Sequence, residues 1–492
     1  MVVGDVTTGT DVLVIGAGPA GYVAAIRAGQ FDLDVTLVEK DAYGGTCLNH
    51  GCIPSKALIT ATDVAHDARY AEEMGIHADP DVDLSAMVDW KDDVVEQLTG
   101  GVEKLCNANG VDVLEGTATF VDESTVRVSH DGDGQGSETL SFEHAIVATG
   151  SRPIEIPSFS FADEPVLSSR QALSLESIPD SLVVVGAGYI GMELASVFAK
   201  LGTDVTVIEI RDSILPGYDD DLKRPVSRRA TDLDIEFEFG YTASEWHEHG
   251  DDGGIRVVAE PVDRAVSDGG VATGESTDTG GALSIEADTV LVAVGREPVS
   301  DTLDLESAGV ETDSRGFVET DSQARTSTEH IFAVGDVAGE PMLAHKGSAE
   351  GAVAAAVIAG QPAAIDHQAI PAVVFTDPEI ATIGMSETDA VDSGFQTVTG
   401  RFPLQASGRA LTTGDTDGFV RIVADAEEGY VLGGSIVGHE ASELIAELGL
   451  AIELGATLED VASTIHAHPT LSESVMEATE NALGQAIHTL NR

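Results

Sequence analysis

Residues 11–21 read Asp11-Val12-Leu13-Val14-Ile15-Gly16-Ala17-Gly18-Pro19-Ala20-Gly21. The unbroken apolar run before the first glycine predicts a strand buried on both faces, as in a parallel sheet. The glycines then permit a tight turn and a close approach of backbone to a ligand. An alanine-rich segment ending near Gly29 predicts a helix, and Val35-Thr36-Leu37-Val38-Glu39 predicts the next strand. A strand, glycine turn, helix and strand within about 30 residues form a dinucleotide-binding unit.

The same unit returns further along. Leu182-Val183-Val184-Val185 leads into Gly186-Ala187-Gly188-Tyr189-Ile190-Gly191, and Val205-Thr206-Val207-Ile208-Glu209 follows a helical stretch. Each unit places a glutamate, Glu39 or Glu209, at the tip of its second strand, 23 residues after the first glycine. A carboxylate there accepts hydrogen bonds from ribose hydroxyls and repels a 2′-phosphate, while the helix N-terminus attracts a pyrophosphate. One such glycine pattern is weak, because a glycine turn can serve packing alone. Two in register with strand, helix and acid predict two dinucleotide sites. Arg211, two residues past Glu209, weakens the case against a 2′-phosphate only slightly.

Between these units lies Gly44-Gly45-Thr46-Cys47-Leu48-Asn49-His50-Gly51-Cys52-Ile53-Pro54-Ser55-Lys56. Two nearby thiols can store an electron pair as a disulfide. Five residues of ideal helix advance about 7.5 Å, more than the usual Cα separation across a disulfide. The backbone here must therefore tighten or break, and Gly51 and Pro54 are the residues that allow it. A zinc half-site is the competing reading. Zinc needs two further ligands, and the only other cysteine, Cys106, has no Cys/His cluster around it, so no metal is expected. Two merely packed cysteines are disfavoured by the polar, glycine-rich setting.

The 492 residues suggest about three domains, and 42% apolar content suffices for several cores. Three cysteines make no stapled secreted framework, which favours a reducing, cytoplasmic setting. Residues 1–10 contain neither a basic residue nor an apolar run, so no signal peptide is expected, and no stretch is long and apolar enough to span a bilayer. The chain has 85 acidic and 25 basic residues, only seven of them lysine, for a net charge of −60. Nucleic acid is not expected as a partner, because phosphate binding needs a basic face. The acids are spread through regular apolar patterns, so they read as a halophilic surface rather than a disordered tail.

Three further strands are expected at residues 145–150, 290–296 and 331–336, the last ending in Asp336. The polar stretches 130–138 and 248–281 read as hairpin tips or surface loops. From about Ile370 the texture changes. Strands at 373–375, 418–423 and 431–437, with helices at 442–454 and 472–488, predict an α+β domain. Near the end, His468 precedes Pro469 and is followed five residues on by Glu473. From these residues alone a surface histidine is the more common reading. A base with a carboxylate on its other nitrogen is the alternative, since thiol exchange requires a thiolate.

Taken together, the two glycine loops, the Gly44–Lys56 segment, Ala148-Thr149-Gly150-Ser151, Gly295-Arg296, Gly335-Asp336, Met342-Leu343-Ala344-His345 and His466-Ala467-His468-Pro469-Thr470-Leu471-Ser472-Glu473 resemble the flavin-dependent pyridine nucleotide-disulfide oxidoreductases, and most closely their dihydrolipoamide dehydrogenase branch. The motifs span nearly the whole chain. The resemblance implies an α/β protein of two Rossmann-like domains, for FAD and NAD, plus a C-terminal α+β dimerisation domain. The boundaries it suggests are 1–155 for FAD, 156–297 for NAD, 298–366 completing the FAD and central region, and 367–492 for dimerisation.

It also implies roles. Gly16, Gly18 and Gly21 would lie on the FAD pyrophosphate and Glu39 on its ribose. Lys56 would sit near the isoalloxazine and pair with Glu193, while Gly116, Thr149, Gly150 and Ser151 line the same cofactor. Asp336 would hold the ribitol, with Met342, Leu343, Ala344 and His345 nearby. Gly186, Gly188, Gly191 and Glu193 would face NAD, with Glu209 on its ribose and Ala243 and Gly295 in backbone contact. Cys47 would exchange with substrate sulfur, Cys52 would face the flavin, and His468 would be the base held by Glu473, reversing the bland reading of that histidine. His466 would be structural. The resemblance implies a homodimer whose active sites are each completed by the partner's histidine.

The implied reaction oxidises dihydrolipoamide to lipoamide and reduces NAD. No lysine lies in a lipoyl-attachment setting, so the dihydrolipoyl group would arrive on a separate carrier protein or as free dihydrolipoamide, within or outside a 2-oxo acid dehydrogenase complex. Rival readings are an NADPH-dependent disulfide reductase, opposed by Glu209, a mercuric reductase, opposed by the lack of any cysteine after Cys106, and a non-catalytic docking subunit, opposed by the intact cysteine pair and His468–Glu473. One departure from relatives is His50, where a small apolar residue is usual.

Overall fold

The computed structural model describes residues 7–130, 136–250, 253–262 and 281–491. The chain divides into two compact units. The first comprises Met1–Ile156, Leu167–Ile178 and Val294–Asp366, and the second Pro157–Val166, Pro179–Ala293 and His367–Arg492.

In the first unit, Thr7–Ile15 is the central strand of a mostly parallel sheet. It pairs with Val35–Glu39 on one side and Ser137–Val147 on the other. Val111–Glu115 extends the sheet beyond Val35–Glu39, and Ile331–Ala333 pairs in parallel with the end of Ser137–Val147. Thr125–Ser129 and Thr117–Asp122 complete the other edge in antiparallel sense. Side chains alternate across a strand. Val12 and Val14 therefore enter a core with Ala24, Ala25 and Ala28 of the Pro19–Gln30 helix. Leu13 and Ile15 enter a second core on the opposite face, with Phe120, Val126 and Ile331. Covering both faces accounts for the unbroken apolar run.

Small residues let the Pro19–Gln30 helix lie directly on the Ala344–Ile358 helix. A Cβ added at Gly351 would stand 2.3 Å from the Ala20 carbonyl oxygen, so only glycine allows that approach.

The second unit repeats the parallel motif. Glu236–Phe239, Asp204–Glu209, Ser181–Val185 and Thr289–Val292 lie side by side in that order. Tyr241–His249, Gly254–Pro261 and Leu283–Ala287 form a three-stranded antiparallel sheet. The last part of the chain is a five-stranded antiparallel sheet in the order 372–374, 379–384, 431–438, 419–425 and 397–403. The helices Ala441–Glu453 and Glu473–Ala482 share its core through Ile445, Leu448, Val475 and Ala478.

Several expectations need correction. The final helix ends at Ala482, not His488. Gly484 takes φ +69°, and Asn481 donates to the Leu490 carbonyl, so the chain turns back beside the helix. The 290–296 stretch is two short strands, Thr289–Val292 and Arg296–Pro298, separated by Gly295 at φ +136°. The stretch 248–281 is not all loop. Ile255, Val257 and Ala259 are buried on one face of Gly254–Pro261. Residues 251–252 and 263–280 of that stretch lie outside the described residues. So do 131–135 of the expected hairpin tip, whose flanking strands pair through Ser129 and Ser137.

Candidate functional site

The two glycine loops are built alike. Gly16 and Gly186 take φ of +104° and +103°, and their N–H groups donate to Val38 and Ile208 at 2.8 Å. A Cβ at Gly21 or Gly191 would fall 1.8 or 2.0 Å from the carbonyl oxygen of Gly16 or Gly186. The third glycine is thus dictated by contact between turn and helix. Gly18 and Gly188 instead have nothing within 4 Å of their Cβ positions. They precede the Pro19–Gln30 and Tyr189–Leu201 helices, and no side chain caps either helix. Helix N-termini that no side chain caps, beside open space, fit a pyrophosphate in both places.

Glu39 and Glu209 also correspond. Glu39 Oε2 accepts the Ala17 N–H at 2.6 Å, and Glu209 Oε2 accepts that of Ala187 at 2.7 Å. The other oxygen of each accepts main-chain N–H groups just past the strand, from Lys40 and Asp41 or from Arg211. Each acid therefore braces its loop. A carboxylate has about four acceptor sites, so capacity remains for ligand hydroxyls.

In the first unit, three segments converge on the loop. The Gly44 N–H donates to the Ala17 carbonyl at 2.8 Å, and a Cβ at Gly45 would stand 2.7 Å from Gly18 Cα. Ala148 abuts Gly16, and Gly335 lies against Ala20. The cysteine segment, the 148–151 segment and the Asp336 turn are thereby gathered at one end of the sheet.

Cys47 lies in a short helix, Gly45–His50, and Cys52 opens a second, Cys52–Tyr70. They are separated by Gly51, at φ −139° and ψ −112°. The helix is broken where the sequence required it. Pro54 occupies the first turn of the second helix, where no intrahelical N–H bond is lost. Both cysteines are thiols here. A hydrogen bond to Cys52, and then burial, push the Cys47 thiol far above its ordinary range, while Lys56 pulls weakly the other way. Burial pushes Cys106 up to about 11 and leaves it an inert core thiol.

Ser151 links two distant segments. Its hydroxyl donates to Asp336 Oδ2 at 2.5 Å and accepts from Arg296 Nε at 2.8 Å. Thr149 donates to the Val299 carbonyl at 2.5 Å, Gly150 takes φ +72°, and the Gly116 N–H donates to the Glu39 carbonyl at 2.8 Å. Met342 and Leu343 lead into the Ala344–Ile358 helix, in which His345 is the second residue. Glu350 of that helix accepts the Gly335 N–H at 2.8 Å and pairs with Lys346 at 2.9 Å. His50 Nε2 lies 3.5 Å from Asp41 Oδ2, and Arg170 lies 3.3 Å from the same oxygen. Burial, followed by the Arg170 charge, pushes the His50 imidazolium below its ordinary range.

In the second unit, Glu193 is buried and its Oε1 accepts the Phe375 N–H at 2.9 Å. Ala243 sits at a register shift in its strand. His468 Nδ1 is 2.9 Å from Glu473 Oε1, and Glu473 Oε2 accepts the Thr470 N–H at 2.9 Å. Burial opposes ionisation of Glu473, but the Thr470 N–H and His468 outweigh it and hold this carboxyl below its ordinary value. The His468 side chain is 80% exposed, so its Nε2 can meet an incoming group. Sequence reasoning missed Glu447 as the partner of His466, Arg296 as a donor to Ser151, and the Lys200–Asp377 pair. Separations of 145 and 177 residues leave no local signal for the last two.

Residues 10–351 match the family described as pyridine nucleotide-disulphide oxidoreductase, and residues 370–479 match its dimerisation domain. The chain belongs to the pyridine nucleotide-disulphide oxidoreductase family. Among curated members of this family, the dihydrolipoyl dehydrogenase of Halobacterium salinarum is 65% identical over 492 residues, covering all of both chains. That of Haloferax volcanii is 64% identical and that of Geobacillus stearothermophilus 48% identical, again over the full lengths. Among solved structures, LpdA from Mycobacterium tuberculosis superposes with a TM-score of 0.86 at 27% identity, covering 96% of this chain and 99% of that one. The chain's two Rossmann-like motifs lie within the first matched range and its C-terminal antiparallel sheet within the second. Among the described residues, no helix is long and apolar enough to cross a membrane, and no group of three or more His, Cys, Asp or Glu is placed to hold a metal.

Proposed function

We propose that this chain is a dihydrolipoyl dehydrogenase, oxidising dihydrolipoyl groups to lipoyl groups with reduction of NAD+ to NADH. The observation that carries the reading is the cysteine pair across the Gly51 break, seated against a glycine loop fit for a dinucleotide. Full-length identity to dihydrolipoyl dehydrogenases supports it.

The cofactors are FAD and NAD. Residues 1–155 bind FAD through Gly16, Gly18, Gly21 and Glu39, with Lys56, Gly116, Thr149, Gly150, Ser151, Asp336 and the 342–345 segment around it. Residues 156–297 bind NAD through Gly186, Gly188, Gly191, Glu193, Glu209, Ala243 and Gly295. Residues 298–366 complete the first domain, and 367–492 form the dimer interface. When bound, FAD supplies a two-electron acceptor beside Cys52, and NAD+ supplies the final hydride acceptor.

In the oxidised enzyme Cys47 and Cys52 form a disulfide. A dihydrolipoyl thiolate attacks Cys47, forming a mixed disulfide and releasing Cys52 as a thiolate. The second substrate thiol attacks the substrate sulfur of that bond, closes the lipoyl ring and releases Cys47. His468 of the opposite subunit takes the proton from the attacking thiol, while Glu473 orients its ring and stabilises the imidazolium. The electron pair then resides on the two cysteines, with the proton on Cys47 and the charge on Cys52. The dihydrolipoyl group comes on a separate carrier protein or free, and the protein works in the cytoplasm, in or beside a 2-oxo acid dehydrogenase complex.

Anaerobic titration with dihydrolipoamide, followed by NAD+ or NADP+, tests the reading. Flavin reduction and NADH formation in the native protein, both lost in Cys47→Ser, are expected. Turnover surviving in Cys47→Ser, or a preference for NADP+, would overturn it.

A further inference from the structure

Two histidine–glutamate pairs lie close together in the turn between the Leu458–Ser463 and Glu473–Ala482 helices. One is the exposed His468–Glu473 pair. The other joins His466 to Glu447 of the Ala441–Glu453 helix, with Nε2 and Oε1 at 2.7 Å. The His466 side chain is only 5% exposed, and its Nδ1 lies 2.9 Å from the Thr464 carbonyl oxygen. A carbonyl oxygen can only accept, and so can a carboxylate. Both ring nitrogens therefore donate, and a ring donating from both carries a positive charge.

We propose that His466 is a positioning residue for His468. Clamped as an imidazolium between Glu447 and the Thr464 carbonyl, it ties the 464–470 turn to the Ala441–Glu453 helix and sets a fixed positive charge beside the His468–Glu473 pair. The proposal rests on the reading that His468 is the base. Among the described residues, the charged and titratable groups on the elements around it include Glu443, Glu447 and Glu453 on that helix, Glu459 and Asp460 on the preceding helix, His468 in the turn and Glu473 on the following helix. Asp460 is engaged in a capping box with Thr457. His466 acts electrostatically on Glu473 together with His468. The imidazolium offsets the Glu447 carboxylate, which would otherwise stand uncompensated against the turn that carries His468.

The test uses the dimeric holoenzyme and the pH profile of kcat/KM for dihydrolipoamide. His466→Gln can still donate to Glu447 but carries no charge. Its acid limb is expected to move upward by about half a pH unit or more. His466→Lys restores the charge and is expected to move the limb back toward the native position. A purely structural role would leave the limb in place in both variants, or shift it equally in both, and either result overturns the proposal. If His466→Gln does not fold, 15N spectra of the native holoenzyme at neutral pH decide. Hydrogen on both ring nitrogens of His466 supports the proposal, and a neutral ring overturns it. His468→Gln separates the two readings. Full turnover in that variant would sink the base assignment itself, whereas its loss beside an unmoved limb in His466→Gln sinks only the role of His466.

Discussion

A methyl group on Gly51 would stand 3.0 Å from the Thr46 carbonyl oxygen and 3.4 Å from Cys47 Cα. Gly51 thus sets how closely the two cysteine-bearing helices approach. Gly51→Ala is expected to push them apart, costing about 1–2 kcal/mol in stability. Thermal unfolding measures that cost. Thiol titration of the oxidised protein should then show a disulfide that reduces more readily. A variant with native melting and native thiol reactivity would mean that the break does not depend on glycine.

The two loops permit a paired experiment. Gly21→Ala places a Cβ 1.8 Å from the Gly16 carbonyl, and Gly191→Ala places one 2.0 Å from that of Gly186. Each forces its own helix away from its own turn. Gly21→Ala should lose bound flavin, read from absorbance per protein. Gly191→Ala should keep its flavin and raise the KM for NAD+ at least about tenfold, a loss of about 1.4 kcal/mol in binding. Flavin loss in Gly191→Ala alone would reverse the assignment of the loops.

Asp377 accepts from Lys200 at 2.9 Å and from Arg229 at 2.8 Å, and the Lys200 side chain is only 4% exposed. Burial works against the Asp377 carboxylate, but Lys200 and then Arg229 prevail and hold its carboxyl below the ordinary range. A carboxyl depressed on folding stabilises the native state above its unfolded value of about 3.9. That contribution is lost as pH falls through the lower native value. Asp377→Asn leaves Lys200 buried without this countercharge and should cost about 2–3 kcal/mol at neutral pH. Urea unfolding at neutral pH and near pH 3 should show the deficit shrinking in acid. A deficit independent of pH would exclude the ion pair as its source.

A net charge of −60 sets the salt response. At about 1 M ionic strength the Debye length is about 3 Å, against about 30 Å at 0.01 M, so self-repulsion acts fully only in dilute buffer. Unfolding temperature and activity should both rise from dilute buffer to molar KCl. Equal stability throughout would show that the surface charge imposes no such demand.

What could be read in advance follows from physical range. Residues 12–15 announced a doubly covered strand because both of its faces are buried. The paired glutamates stood out because an acid at the same distance from each glycine turn repeats in register, and each braces its own turn. Even the helix break was legible, since five residues of helix cannot bring two sulfurs together. The Gly254–Pro261 strand was hidden because its alternating Ile255, Val257 and Ala259 lie in acidic surroundings. The stop at Ala482 was hidden because the Asn481–Leu490 bond that accompanies it comes from the returning chain. The links from Ser151 to Asp336 and from Lys200 to Asp377 cross 185 and 177 residues, and only the folded chain reveals them.

The contact between Ala20 and Gly351 joins residues more than 300 positions apart. During synthesis the N-terminal glycine turn leaves the ribosome long before its packing partner exists. The Ile331–Ala333 strand, which completes the same sheet, is also made late. A nascent chain halted before residue 330 therefore lacks the wall behind its first helix, and firm packing of that helix must await translation of the later segment.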